Sequence, residues 1–468
     1  MIVRLGSRWR PVASARDLLS TRRQHRPGAK HPARLIVAGF GVVLLVGTVL
    51  LMLPVAAESG EATSFVAALF TATSAVCVTG LVVVDTPTYW SAFGEAVLLA
   101  LIQVGGLGIM TLASLLGLLV ARRLGLRLQR GAQEETKSVG LGSVRRVVVG
   151  VIATSFVVEI ATAAALTARF AIGYHEPAGR AVYLGVFHAV SAFNNAGFAL
   201  YTDNLVRFAA DPWINVPIMG AFVLGGLGFP VLFEIVRHVR GRAHRWSMHA
   251  RITLTTYAAL SFVGVVAITA IEWSNPDTLG TLGVGGRLVA GIFHGMTPRT
   301  AGFNSVDVGE MHPASLMITD ILMFVGGGSA GTAGGIKVTT FALLAAVMLT
   351  EVRGDTHVHV AGRKLPAAVH RQALTVALAG VGLVFVATVV LLLISPFGLD
   401  AVLFESVSAF GTVGMSTGIT ADLPEAAQLV IIVLMFAGRV GPITFASALA
   451  LRERERRYDL PEERPIVG

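Results

Sequence analysis

Four segments of one design recur along the 468-residue chain and constrain its fold more than any other feature. F-T-A-T-S-A-V-C-V-T-G-L ends at Gly80 and Leu81, and F-H-A-V-S-A-F-N-N-A-G-F at Gly197 and Phe198. F-H-G-M-T-P-R-T-A-G-F ends at Gly302 and Phe303, and F-E-S-V-S-A-F-G-T-V-G-M at Gly414 and Met415. Each reads as a short helix that stops, followed by an extended turn ending on glycine. The glycines lie 117, 105 and 112 residues apart, and copies at so even a spacing mean four structural repeats in one chain.

The surroundings of these segments are apolar. Hydrophobic residues make up 54% of the chain and charged residues 14%. Apolar runs of about 20 residues recur, each long enough to cross a hydrocarbon layer as a helix. Every repeat is expected to follow one plan: a spanning helix, a re-entrant helix, the glycine turn and a second spanning helix. The first spans are expected at 35–54, 147–171, 252–272 and 373–395, and the re-entrant helices at 64–76, 180–193, 286–297 and 400–411. The second spans are expected at 92–121, 213–237, 314–350 and 427–451. The predicted organisation is a basic cytosolic arm at 1–34, pore repeats at 35–121, 147–237, 252–350 and 373–451, and a cytosolic tail at 452–468. The fold class is an all-α polytopic membrane protein, with eight spanning helices and four re-entrant pore helices around a central pseudo-fourfold pore. The apolar run before Val55-Ala56-Ala57 resembles a signal peptide, but it is longer than a usual signal core and reads as a retained first span.

A net charge of +9 invites a nucleic-acid reading, which the charge distribution rejects. Thirty of the 37 Lys and Arg residues fall before residue 35, at 122–146, 237–251 and 353–371, and in the tail. Arg169, Arg180, Arg207, Arg287 and Arg299 are assigned to the opposite face, and Lys337 and Arg439 to apolar segments. That asymmetry follows the positive-inside rule, so both termini are placed in the cytosol and no nucleic-acid partner is expected. The basic clusters read as solvated loops, with docking of a cytosolic partner or anionic lipid as the alternative. Cys77 is the sole cysteine, which excludes an internal disulfide and a cysteine-based zinc site.

Non-helical backbone survives at membrane depth only where protein buries it or water reaches it. Four such segments most economically meet around one pore. The candidate filter residues are Val78, Thr79 and Gly80, Asn195, Ala196 and Gly197, Thr300, Ala301 and Gly302, and Thr412, Val413 and Gly414. Glycine reaches positive φ without steric cost, so successive carbonyls can face one axis and replace a cation's water shell. Each re-entrant helix aims a C-terminal end carrying about half a negative charge at that axis, which favours cations. The fourth segment, T-V-G-M, comes closest to the potassium-channel filter T-V-G-Y-G. All four lack its second glycine, so a shorter ladder of oxygens and less stringent selection are expected.

These repeats, the T-A-G-F-N of Thr300 to Asn304 and the G-G-G-S-A-G-T-A-G-G-I-K-V-T-T of Gly326 to Thr340 resemble the membrane pore subunit of the Trk/Ktr/HKT superfamily of potassium transporters. The resemblance covers nearly the whole chain. The sequence enters its first repeat without the leading helix pair of Trk-type subunits, and is most similar to the bacterial Ktr type. The resemblance implies potassium uptake across the bacterial plasma (inner) membrane, with K+ as substrate held at the filter residues and no covalent cofactor. Some plant relatives that favour sodium carry serine where this chain has Gly80, which implies potassium as the main substrate; Na+ is a candidate activator. It also implies a homodimer on a cytosolic ring of nucleotide-binding regulatory subunits. The nucleotide would be held by that separate polypeptide, since this chain shows no Rossmann pattern. Residues 326–335 would form an intramembrane gating loop below the filter.

The residues support a gate on their own. Gly326, Gly327, Gly328, Ser329, Ala330, Gly331, Thr332, Ala333, Gly334 and Gly335 include six glycines. At about 1 kcal/mol each relative to alanine, the stretch is not expected to stay helical. The other second helices carry Gly105-Gly106, Gly225-Gly226 and Gly438-Arg439 at the matching place, read as close helix packing through small residues. Arg439 stands where the other repeats have glycine. A buried arginine costs about 2.5–3.5 kcal/mol on the insertion scale, so it is expected to face the pore and bond gate-loop carbonyls, with a structural ion pair as the alternative. Lys337 is the last gate candidate, unless its stem carries the ammonium to the cytosolic surface.

Two other chemistries are weighed. Gly327-Gly328-Ser329-Ala330-Gly331 fits a nucleophile elbow, yet membrane helices flank it. His188 and His294 occupy matching places in the re-entrant helices, where packing explains them, and the protein is not read as an enzyme. Glu95, Glu159, Asp320 and Glu405 could relay protons in the alternative function, a secondary symporter coupling Na+ or H+ to solute uptake. Carriers typically show inverted or paired repeats, whereas these four run the same way. Glu405 is expected to act as a favourable charge early in its helix.

Overall fold

In a computed structural model of the chain we describe residues 32–128, 141–241, 245–355 and 357–451. The expected tail and nearly all of the expected arm lie outside them. Among the described residues the regular elements are helices, apart from one small hairpin, His359–Val360 with Arg363–Lys364.

The first repeat comprises α1 (Pro32–Leu51), α2 (Phe65–Val76), α3 (Thr86–Tyr89) and α4 (Ala92–Leu128). The second comprises α5 (Leu141–Gly173), α6 (Ala178–Phe193), α7 (Pro212–Leu227) and α8 (Phe229–Val239). In the third, α9 (Met248–Glu272) and α10 (Val284–Met296) precede α11 (Pro313–Phe324) and α12 (Val338–Arg353). The fourth has α13 (Ala367–Ile394), α14 (Leu399–Gly411) and α15 (Glu425–Leu451). Side chains set several of the starts. Ser64 Oγ accepts from the Ala67 N–H at 3.3 Å, and Ser247 Oγ from the Ala250 N–H at 3.1 Å. The Asp211 carboxylate takes the Trp213 N–H, with Pro212 in the first turn of α7, where its missing donor costs nothing.

Ala92–Leu112, Val147–Gly173, Met248–Glu272 and Ala367–Ile394 are each long and apolar enough to cross a membrane. The remaining four passages are α1, the bent pair α7 and α8, the interrupted pair α11 and α12, and α15. Two second helices are therefore broken. The interruption between α11 and α12 falls on the glycine-rich run, as its composition requires. The expected continuous span at 213–237 is not formed: Gly228, at φ 89°, separates α7 from α8, and the two meet at a 108° bend. Pro230 follows in the first turn of α8, where it cannot donate back into α7.

The short helices α2, α6 and α14 each pack between the long helices of their own repeat, whereas α10 packs on α9 and on α7 of the second repeat. The last helix, α15, also packs on α1 and α2, which closes the repeats into a ring. Fully buried aromatics such as Phe70, Phe187, Phe293 and Phe404 fill the space behind the short helices. Val157, Ile160, Phe262, Phe385 and Leu393 are exposed on the outside, a surface suited to hydrocarbon rather than water.

A candidate cation site at the centre of the repeats

The four turn glycines meet around one centre. All have positive φ: 96° at Gly80, 70° at Gly197, 72° at Gly302 and 92° at Gly414. A side chain on any of them would strike another repeat. On Gly80 it would meet the Ala196 carbonyl, on Gly197 the backbone of Gly302, on Gly302 the Val413 carbonyl, and on Gly414 the Thr79 carbonyl. The contacts pass from the first repeat to the second, third and fourth and return to the first. The ring is closed, and only hydrogen fits on its inner faces.

The residue two places before each glycine is also left-handed: Val78 at 48°, Asn195 at 57°, Thr300 at 72° and Thr412 at 49°. Asparagine tolerates this region, but β-branched valine and threonine do not, and each such residue costs about 1–3 kcal/mol. Hydrogen bonds to the re-entrant helices hold the strain. In the first repeat the Thr79 N–H donates to Ser74 O at 2.7 Å and the Gly80 N–H to Ser74 Oγ at 3.0 Å. In the fourth, Val413 donates to Ser408 O at 2.9 Å and Gly414 to Ser408 Oγ at 3.1 Å. In the second, Ala196 donates to Ser191 O at 2.8 Å, while Ser191 Oγ donates to Phe198 O at 2.7 Å. The amides are thereby spent on the helices, leaving the carbonyls of Thr79, Ala196 and Val413 against the ring. Ser74, Ser191 and Ser408 were not among the sequence candidates; the Ser-Ala pair shared by these three segments was their signature. The third repeat has Met296 at that place, and Ala301 donates to Thr297 O at 3.0 Å instead.

Next to the ring, the chain leaves its helix at Val325 and resumes it at Val338. Val325 pairs with Ile336 in a parallel bridge, and the Gly326 N–H donates to Ile336 O at 2.8 Å, closing the segment into a loop. The loop lies against the filter candidates. Thr332 Oγ1 donates to Asn195 Oδ1 at 2.9 Å, and a side chain on Gly334 would strike Thr412 Oγ1. Its other side docks on the break between α7 and α8. Gly328 donates to Gly226 O at 2.8 Å, Thr332 to Gly225 O at 3.2 Å, and Phe229 to Ala330 O at 3.2 Å.

Three cationic side chains bind this loop. Arg439 is buried and donates from Nη1 to the Thr332 carbonyl, so its partner is a loop carbonyl rather than a carboxylate. Lys337 turns back onto the loop, its Nζ donating to Ala333 O at 2.5 Å, and does not reach for the surface. Arg299 corrects the sequence assignment to the opposite face: it is fully buried, donates from Nη2 to Gly326 O at 2.8 Å, and lies over the Tyr257 ring at 4.9 Å. Its backbone belongs to the turn after α10, but the side chain reaches the carbonyl just past the C-terminal end of α11, where the helix dipole is negative. Nε and Nη1 of Arg299, and Nε and Nη2 of Arg439, have no partner among the described residues.

The glycine pairs have a plain packing role. A side chain on Gly105 would strike Val76 O, on Gly225 Phe193 O, and on Gly438 Phe410 O, so each long helix presses on the end of its re-entrant helix. Ser329 Oγ is bonded to Thr339 Oγ1 at 3.1 Å rather than to a histidine. His188 is a strut, with Nδ1 2.8 Å from Leu184 O and Nε2 accepting from the Leu200 N–H at 3.3 Å. Glu159 accepts from Gln103 Nε2 at 3.0 Å, and Asn194 donates to Gln103 Oε1 at 2.7 Å, so this carboxylate braces the second turn from behind. Glu405 lies beyond the first turn of α14 and takes a hydrogen bond from Thr420. It straps the outer return of the fourth segment to its helix, and is not the helix-start charge the sequence suggested.

A closed ring of glycine turns inside a four-repeat bundle, with a loop held by arginine and lysine side chains beside it, defines a class of pore-forming membrane transport proteins. Comparison with known proteins narrows the class: the family model for TrkH cation transport proteins matches residues 11–456, and the chain belongs to that family. It is 38% identical to the Ktr system potassium uptake protein B of Bacillus subtilis (strain 168), over 91% of this chain and 95% of that protein. It is 35% identical to the potassium/sodium uptake protein NtpJ of Enterococcus hirae, over 93% of this chain and 97% of that one. The crystal structure of the potassium transporter TrkH from Vibrio parahaemolyticus matches with a TM-score of 0.71 at 16% identity, covering 92% of this chain and 86% of that one. That likeness shows a shared fold.

Proposed function

We propose that the protein is a channel-like pore subunit for potassium uptake, and the observation that carries this reading is the closed ring of four glycine turns. Residues 78–80, 195–197, 300–302 and 412–414 form the filter, whose carbonyls replace the hydration shell of K+. The loop at 326–335, with Lys337 and Arg439, forms the gate, and Arg299 joins it. The names of the relatives support potassium as cargo, and the Enterococcus hirae protein, named for potassium and sodium, supports a part for Na+. The basic bias of one side supports a bacterial inner-membrane orientation with both termini cytosolic. Resemblance to the Ktr type supports a homodimer carried by a nucleotide-binding regulatory ring.

Purified protein in liposomes tests the reading. Rubidium uptake is expected to be rapid, driven by the ion gradient alone, inhibited by K+ and much less by Na+, and measured with and without Na+ present. Uptake locked in fixed stoichiometry to a co-transported solute or proton would favour the symporter instead. Selection for K+ over Na+ is expected to fall short of a full-length T-V-G-Y-G filter.

A further inference from the structure

The break between α7 and α8 creates a second surface on the gate side. Because of the 108° bend at Gly228, α8 runs across the bundle instead of along it. Its two faces differ: Val231 and Leu232 are buried, whereas Phe233, Val236 and Val239 are exposed, Val239 by 82%. Arg237 on the same helix and Arg240 at its end are exposed, as are Arg245 and Trp246 before α9 and Arg251 in its first turn. Two contacts tie α8 to the residues just before α9. The His238 ring stacks on Trp246 at 3.9 Å, and Ser247 Oγ donates to Glu234 Oε2 at 2.7 Å. Glu234 is the sole carboxylate between residues 229 and 251, so the patch is strongly positive. An apolar strip edged with arginine, where spanning helices begin and end, matches the boundary between acyl chains and anionic headgroups.

We propose that α8, with Arg245, Trp246 and Arg251 at the entry to α9, binds anionic phospholipid headgroups, and that this binding steadies the gate loop. The proposal rests on the orientation given above, which puts the patch on the cytosolic leaflet. The link to the loop is direct. Phe229, the first residue of α8, donates to Ala330 O, and the last turn of α7 accepts from Thr332 and Gly328. An elbow anchored in the headgroup layer cannot swing, and the loop docked on it stays closed.

The test compares the full protein in liposomes of phosphatidylcholine with and without phosphatidylglycerol. Basal rubidium uptake by the wild type is expected to be several-fold lower with phosphatidylglycerol. The Arg237→Gln/Arg240→Gln variant is expected to keep the wild-type neutral-lipid rate in both. Each arginine at an anionic surface favours association by about fivefold, so the double variant should bind this lipid about twenty-five-fold more weakly. Brominated phosphatidylglycerol, quenching Trp246 fluorescence relative to Trp246→Phe, reads that binding without ion flux and so stands apart from the transport reading. An equal lipid response in wild type and variant overturns the proposal. So does a variant that loses binding to a regulatory protein while its lipid response persists, which would give the surface to a protein partner.

Discussion

A single methyl group tests the ring at the residue scale. On Gly414 it meets the Thr79 carbonyl at a φ of 92°, and neither the backbone nor the neighbouring repeat can yield cheaply. Gly414→Ala, and more severely Gly414→Asp, are expected to abolish potassium-dependent growth of an uptake-deficient host. Membrane insertion is checked by immunoblot, and full rescue by inserted protein would contradict the filter. Arg439→Ala and Arg299→Gln are each expected to raise basal rubidium uptake about tenfold, because a charged hydrogen bond contributes about 1.5–3 kcal/mol. Unchanged uptake in folded protein would remove either residue from the gate. The two arginines were not equally readable. Arg439 stands in a helical register where the other repeats carry glycine, so its inward direction follows from period. Arg299 lies where helix gives way to turn, and no periodicity assigns a side-chain direction there. Ser74 and Ser408 were overlooked for a related reason: a serine bonding six residues ahead looks like any small helix residue until the turn is built. Loss of Ser74 Oγ in Ser74→Ala is expected to cost about 1 kcal/mol and to weaken discrimination of K+ against Na+ in liposome competition.

At the scale of elements, the third and second repeats carry the two broken helices, and only one was foreseen. The break between α11 and α12 follows from its six glycines, each taxing a helix. Deleting residues 327–334 is expected to increase basal flux, and folded protein with equal or lower flux would argue against the gate. The break between α7 and α8 hides in a run that stays apolar on both sides, and its Gly-Gly-Leu-Gly matches the unbroken first repeat letter for letter. Pro230 was the distinguishing mark, since it removes the donor a continuing helix requires. Alanine at Gly228 would force a side chain at φ 89° into the Ser329 carbonyl. Gly228→Ala is therefore expected to lower stability by about 1–2 kcal/mol and to leak rubidium, measured by thermal melting and liposome flux. The re-entrant helices were the most readable elements because each ends on a glycine whose phase is repeated three times over.

For the whole molecule, the four-repeat ring could be read directly, since it depends on a pattern spread over hundreds of residues. What could not be read is how the repeats interlock: the third repeat's loop rests on the second repeat's broken helix and is gripped by the fourth repeat's Arg439. Contacts of that kind join residues more than a hundred positions apart, and no local pattern announces them. The expected homodimer belongs to this scale as well; light scattering of detergent-solubilised protein should give twice the 49.1 kDa chain mass, and a monomer under all conditions would contradict it.

Because the four walls of the ring are successive stretches of one polypeptide, a codon change alters one quadrant and never its three counterparts. An assembly of four identical subunits would copy the same change all the way round. Two alleles in one cell thus cannot contaminate each other within a single ring, and each wall is free to specialise, as the unshared loop of one and the unshared arginine of another already illustrate.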